Sequence, residues 1–204
     1  MELHTWLIYT MATIGLSLMP GPNGLLALTH GALHGPRLTL FTIGGGVLGF
    51  LVLLALSMFG IGAVLGASVQ ALAWMKWIGG AYLVWLGIQV WRSPAPDLTP
   101  TGPRAGPRRA LSLFRQGFST AVTNPKVVLF FAAFLPPFID PHRSLATQFI
   151  VMAITFAVIE FVVESAVALL AGSVRGWLQR SGKRFNRVCG AMFGLFGAGL
   201  AAGS

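Results

Sequence analysis

Apolar residues run along this chain in six long stretches: about Leu3–Leu28, Thr39–Leu65, Leu72–Trp91, Leu111–Phe138, Ala146–Gly172 and Arg187–Ala202. A helix of about 20 apolar residues crosses the hydrocarbon core of a bilayer. Each stretch therefore predicts a transmembrane helix, the last one short and glycine-rich. Two are interrupted at matching places. The first carries Met19-Pro20-Gly21-Pro22-Asn23-Gly24 and the fourth Asn124-Pro125-Lys126. Proline removes a backbone donor and clashes with the preceding turn. In lipid, the freed groups are tolerated only where protein or a water-filled cavity satisfies them. Paired interruptions in corresponding segments of two halves point to the substrate site of a carrier.

The stretch Ser93–Pro107 holds five prolines and reads as an extended linker, placed at residues 93–110. It divides the chain into three-helix units at 1–92 and 111–204. Three is odd, so the second unit enters the membrane inverted relative to the first. The predicted fold is an all-α integral membrane protein of six helices, built as two inverted repeats with helices 1 and 4 broken at proline.

Composition strengthens this reading. Only 9% of the 204 residues are charged, against about 25% in soluble domains, and the mean hydropathy is +0.76. The net charge of +9 would suggest nucleic acid in a soluble chain. Here the basic residues lie between the spans. The first, third and fifth connections hold Arg37, then Arg92, Arg104, Arg108, Arg109 and Arg115, then Arg175, Arg180, Lys183, Arg184 and Arg187. The other side has Lys76 and Arg143. Basic connections stay cytoplasmic, so both termini are predicted outside, and no nucleic-acid partner is expected. The single cysteine, Cys189, excludes an internal disulfide and a CxxC relay.

Several polar residues lie at membrane depth. Half-helices beginning at Pro22-Asn23-Gly24 and at Pro125 would present unpaired N–H groups and a positive dipole end, suited to a carboxylate. Lys126 lies about fifteen residues into the fourth span, at an insertion cost of about 2.5–3.5 kcal/mol. Glu160 and Glu164, at i and i+4, project from one face of the fifth span. Such a pair suits a proton carrier or a site for a substrate ammonium. Tyr82 sits mid-span in the third helix, where its hydroxyl needs a partner. His30 and His34 are also at i and i+4, but nothing in their loop completes a metal site, so they read as end-of-helix histidines. Gly44-Gly45-Gly46, Gly49, Gly62, Gly66, Gly190 and Gly194 allow close helix packing, and would also suit a homodimer. No Gly-Lys-Ser/Thr follows the glycine run, which excludes a nucleotide loop. No cofactor and no metal are implied. No histidine lies inside a span to serve a nucleophile, so the chain is not read as an enzyme.

Gly80-Ala81-Tyr82-Leu83-Val84-Trp85-Leu86-Gly87 with Arg92, Phe114-Arg115-Gln116-Gly117, Phe131-Ala132-Ala133-Phe134-Leu135-Pro136 and the two proline motifs occur here in order. This set resembles the LysE/RhtB family of bacterial exporters of lysine, homoserine, threonine and related amino acids. The resemblance covers nearly the whole chain. It implies a multi-pass inner-membrane carrier that expels amino acids at the expense of the proton motive force. Substrate binding would then fall to Pro22, Asn23, Gly24, Tyr82, Asn124, Pro125, Lys126, Glu160 and Glu164, and proton coupling to Glu160 and Glu164. The alternatives are a metal-ion exporter of the same broad superfamily and a membrane assembly or scaffold protein.

Overall fold

The computed structural model describes residues 1–19, 21–65, 69–93, 110–124, 127, 130–131, 134–140 and 142–202. Residues 94–109 of the linker expected at 93–110 lie outside the described residues, as do Pro20, Pro125 and Lys126. Among the described residues there are seven α-helices and no strands: α1 Leu3–Leu18, α2 Pro22–His34, α3 Pro36–Leu65, α4 Val69–Arg92, α5 Ala110–Val122, α6 Leu145–Leu169 and α7 Ala171–Ala202. A single 3-10 turn covers Pro136–Phe138.

Local chemistry sets several of these boundaries. Gly35 has φ 79 and closes α2, its N–H donating to Gly31 O at 3.1 Å. Only glycine enters that region cheaply, so one residue suffices to join α2 to α3. Proline at the first position of α2 and of α3 lacks the N–H that would go unpaired there. Ser144 caps α6, its hydroxyl accepting from Thr147 N at 3.4 Å.

The apolar cores of α3 (Pro36–Gly60) and of α6 are each 25 residues long, with mean hydropathy 2.2. At 1.5 Å per residue each is about 38 Å, enough to cross a bilayer. α6 shows how such a helix is used. Its buried face is Gln148, Met152, Phe156, Glu160, Glu164 and Ala168, while Ile150, Ile154, Val158 and Val162 are exposed. Carboxylates inside and aliphatic side chains outside is the arrangement lipid demands, since intramembrane acids turn toward the bundle interior. α1 likewise turns apolar side chains outward, with Leu3, Leu7, Met11, Ile14 and Leu18 exposed and Tyr9 and Thr13 buried.

The core joins α1, α3 and α6 with Phe130, Phe131, Phe134 and Leu135. Phe156 meets Phe50 and Phe131 edge-to-face, with ring centroids 5.7 and 5.3 Å apart. Tyr9 donates its hydroxyl to Met152 O at 3.2 Å. Glycines set the closest helix pairs. A Cβ on Gly45 or Gly117 would overlap backbone of the facing helix in the α3–α5 pair, and one on Gly87 would fall 2.6 Å from Gly190 O in the α4–α7 pair. Small residues buy this proximity with van der Waals contact that lipid cannot replace.

The C-terminal region differs from expectation. The basic stretch before Arg187 was expected as a connection; instead α7 is one helix of 32 residues, about 48 Å long. Arg180, Lys183, Arg184 and Arg187 are exposed along it. No proline follows Pro141 to stop a helix, and Arg and Lys are good helix formers.

Candidate functional site

α1 ends at Leu18, and Met19 and Gly21 are both extended. The first intrahelical bond of α2 runs from Leu25 N to Gly21 O at 2.9 Å. The N–H groups of Asn23 and Gly24 therefore have no partner inside the helix. Further along the chain, α5 ends at Val122. Asn124 N donates to Ala121 O, and Val127 N to Asn124 O, both at 3.1 Å. Asn23 and Asn124 are buried, 5% and 3% exposed.

Residues flanking both proline motifs border one small cavity of about 10 Å³. Its polar lining is Ser17, Asn23, Asn124 and Glu160, with Gly21 and Gly24 beside them. Phe50 and Phe156 form apolar wall. Glu160 is buried on α6 and accepts a hydrogen bond from the Ser17 hydroxyl of α1. That bond joins residues 143 apart in sequence.

Glu164 lies one turn further along the same buried face. It approaches Asn23 at Gly46 of α3. A Cβ on Gly46 would sit 2.6 Å from Asn23 Nδ2 and 3.7 Å from Glu164 Oε2. Gly46 thus makes room for the amide and the carboxylate together. Among the described residues, Asn23 Oδ1 meets no hydrogen-bond donor. A buried acceptor left so costs about 1–3 kcal/mol, which a ligand's N–H would recover.

Of the residues expected from sequence, Asn23, Gly24, Asn124 and Glu160 line the cavity. Pro22 opens α2 beside it, and Glu164 joins Asn23 one turn away. Tyr82 is not among the lining residues; it is half-buried on α4 with its ring 5.6 Å from Trp85. Pro125 and Lys126 lie outside the described residues. Sequence reasoning missed Ser17, Phe50, Phe156 and the role of Gly46. A signal existed for Ser17: Tyr9, Thr13 and Ser17 repeat every four residues in the first span, which puts hydroxyls on one helix face.

The arrangement is amphoteric. Amide groups and a helix N-terminus share the cavity with the buried Glu160 carboxylate, and the buried Glu164 carboxylate lies one turn away. It suits a small solute carrying both a carboxylate and an ammonium.

The sequence profile described as "LysE type translocator" matches residues 14–204. An uncharacterized membrane protein of Vibrio cholerae is 37% identical over 195 residues, covering 95% of this chain and 94% of the relative. A homoserine/homoserine lactone efflux protein of Salmonella typhimurium is 33% identical over 205 residues, covering 99% and 98%. A leucine efflux protein of Klebsiella pneumoniae is 26% identical over 198 residues, covering 97% and 92%. No solved structure matches the chain.

Proposed function

This chain belongs to the LysE type translocator family, and from that premise we propose that it is a secondary exporter of amino acids or close derivatives in the bacterial inner membrane, driven by the proton motive force. The observation that carries this reading is the cavity where residues flanking both proline motifs meet Glu160. The efflux named for the relatives, of homoserine, its lactone and leucine, supports a solute of amino-acid chemistry.

In this reading the α2 N-terminus with Asn23 and Gly24, together with Asn124, Pro125 and Lys126, holds the substrate carboxylate. Glu160 and Glu164 hold the ammonium and carry the coupling proton by turns. One charge moving through about 100 mV supplies about 2.3 kcal/mol, roughly a fiftyfold gradient. The cavity has room for about one water, so binding an amino acid requires the walls to part. Rocking of one three-helix unit against the other supplies that motion. α1 and α2 together form the first span, and α5 with the segment after Asn124 the fourth. Contacts of α3 with α6 and of α4 with α7 support a two-fold relation between the units, because each helix then touches its own counterpart. Arg37, the basic residues around the linker and those in the first half of α7 support an orientation with both termini outside.

The test is efflux of preloaded amino acids from cells expressing the wild type or a Glu160→Gln/Glu164→Gln double variant, with and without a protonophore. Efflux of particular amino acids that both the variant and the protonophore abolish is the expected result. A well-inserted wild type that exports no amino acid overturns the reading.

A further inference from the structure

A second buried polar line leaves this site along α2, and the exporter reading above gives it no task. His30 is 5% exposed, and its Nδ1 lies 2.7 Å from Thr42 Oγ1 of α3. Its ring centroid is 5.3 Å from that of His34, a half-buried residue that ends α2. Gly35, Pro36 and the exposed Arg37 follow directly, at the end assigned above to the cytoplasm. In the other direction, Thr42 precedes Gly46 by one turn of α3, about 6 Å, and Gly46 is where Asn23 and Glu164 approach each other. Glu160, one further turn along α6, borders the cavity.

Backbone packing holds this file together. A Cβ on Gly31 would fall 2.6 Å from Ala168 O, so α2 and α6 touch directly beside His30. Ala168 is one turn beyond Glu164 on the same buried face. The titratable groups nearest His30 along the file are His34 on α2 and Glu164 on α6. α3 adds the buried hydroxyls of Thr39 and Thr42 and, in its first turn, the exposed Arg37. α5 and α7 also touch α2, but their described charges Arg115, Arg180, Lys183, Arg184 and Arg187 are exposed.

We propose that Thr42, His30 and His34 form the cytoplasmic exit for the coupling proton, an inference that rests on the proton-driven reading above. Imidazole suits the task because histidine alone ordinarily changes charge between about pH 5 and 8. A protonated Glu164 gives up its carboxyl proton, across one bridging water, to the Thr42 hydroxyl. Thr42 passes its own proton to His30 Nδ1. The imidazolium releases the proton on Nε2 to His34, and His34 releases one to the cytosol. Glu164 ends as a carboxylate, the cytosol gains one proton, and return of His30 to its starting tautomer resets the file. Thr42 meets one ring nitrogen of His30, and His34, one turn further along α2, is the next imidazole toward the helix end.

The test uses the full chain in liposomes with homoserine as the probe, or leucine where homoserine is not carried. Two modes are measured: transport driven by an imposed pH gradient, and homoserine–homoserine exchange at equal pH, which needs no proton release. His30→Gln and Thr42→Val should each lower gradient-driven transport at least about tenfold while exchange stays within about twofold of wild type. Thr42→Val keeps the side-chain volume and so guards against a folding failure of His30→Gln. Gradient-driven transport that stays at wild-type level in both variants overturns the proposal. So does a parallel loss of exchange in both variants, which would make the pair structural. A wild type that exchanges homoserine but ignores the pH gradient overturns the proton-driven reading, and the relay with it.

Discussion

Three consecutive glycines in α3 should respond to alanine in three different ways. A Cβ on Gly44 meets nothing within 4 Å, so Gly44→Ala should retain export and gain up to about 1 kcal/mol from helix propensity. A Cβ on Gly45 would overlap the Phe114 carbonyl and come within 3.0 Å of Phe118 N, both backbone atoms of α5. Neither can move without parting two helices, so Gly45→Ala should cost about 1–3 kcal/mol or more. A Cβ on Gly46 would lie 2.6 Å from Asn23 Nδ2, where ordinary contact begins at 3.4 Å. The Asn23 amide must then retreat by about 0.8 Å or turn. Because that atom ends a side chain, the helices need not part. Gly46→Ala should therefore fold, yet lose export by tenfold or more, since displacements near 1 Å at a site cost up to about 10²-fold. Thermal stability of the detergent-solubilised variants, measured beside efflux from cells, separates the three. The reasoning is refuted if Gly46→Ala exports at the wild-type rate and KM, or if Gly45→Ala melts at the wild-type temperature.

Two further variants probe the site from its edges. Ser17→Ala removes the hydroxyl that donates to Glu160. Hydrogen bonds to charged groups contribute about 1.5–3 kcal/mol, so efflux should fall about tenfold or more with insertion unchanged; unaltered efflux would detach Ser17 from the site. Tyr82→Phe should leave efflux at the wild-type rate, because Tyr82 is not among the residues lining the cavity; a large loss would bring α4 into the substrate path.

Much of the architecture was legible before any coordinates. Lipid solvation and proline act locally, so Leu3–Leu28 and Leu111–Phe138 could be read as apolar runs carrying interruptions, and Glu160 and Glu164 as buried acids on one face. The continuity of α7 was less legible. Its basic residues signal the membrane boundary in composition, but charge does not stop a helix, and only proline or a turn would have.

The pairings inside the site were beyond the sequence. Ser17 with Glu160, Asn23 with Glu164 at Gly46, and His30 with Thr42 each join different helices, and their meeting depends on which faces pack. Those faces are selected by close approaches at Gly31, Gly45, Gly46 and Gly117. A glycine that admits a backbone, one that admits a functional amide and one that admits nothing are the same letter in sequence. Hydropathy and proline therefore determined that this chain enters a membrane and where its apolar runs are interrupted. Only the tertiary structure decided which polar groups share a cavity, because that depends on interhelical distances set by packing at single Cα atoms.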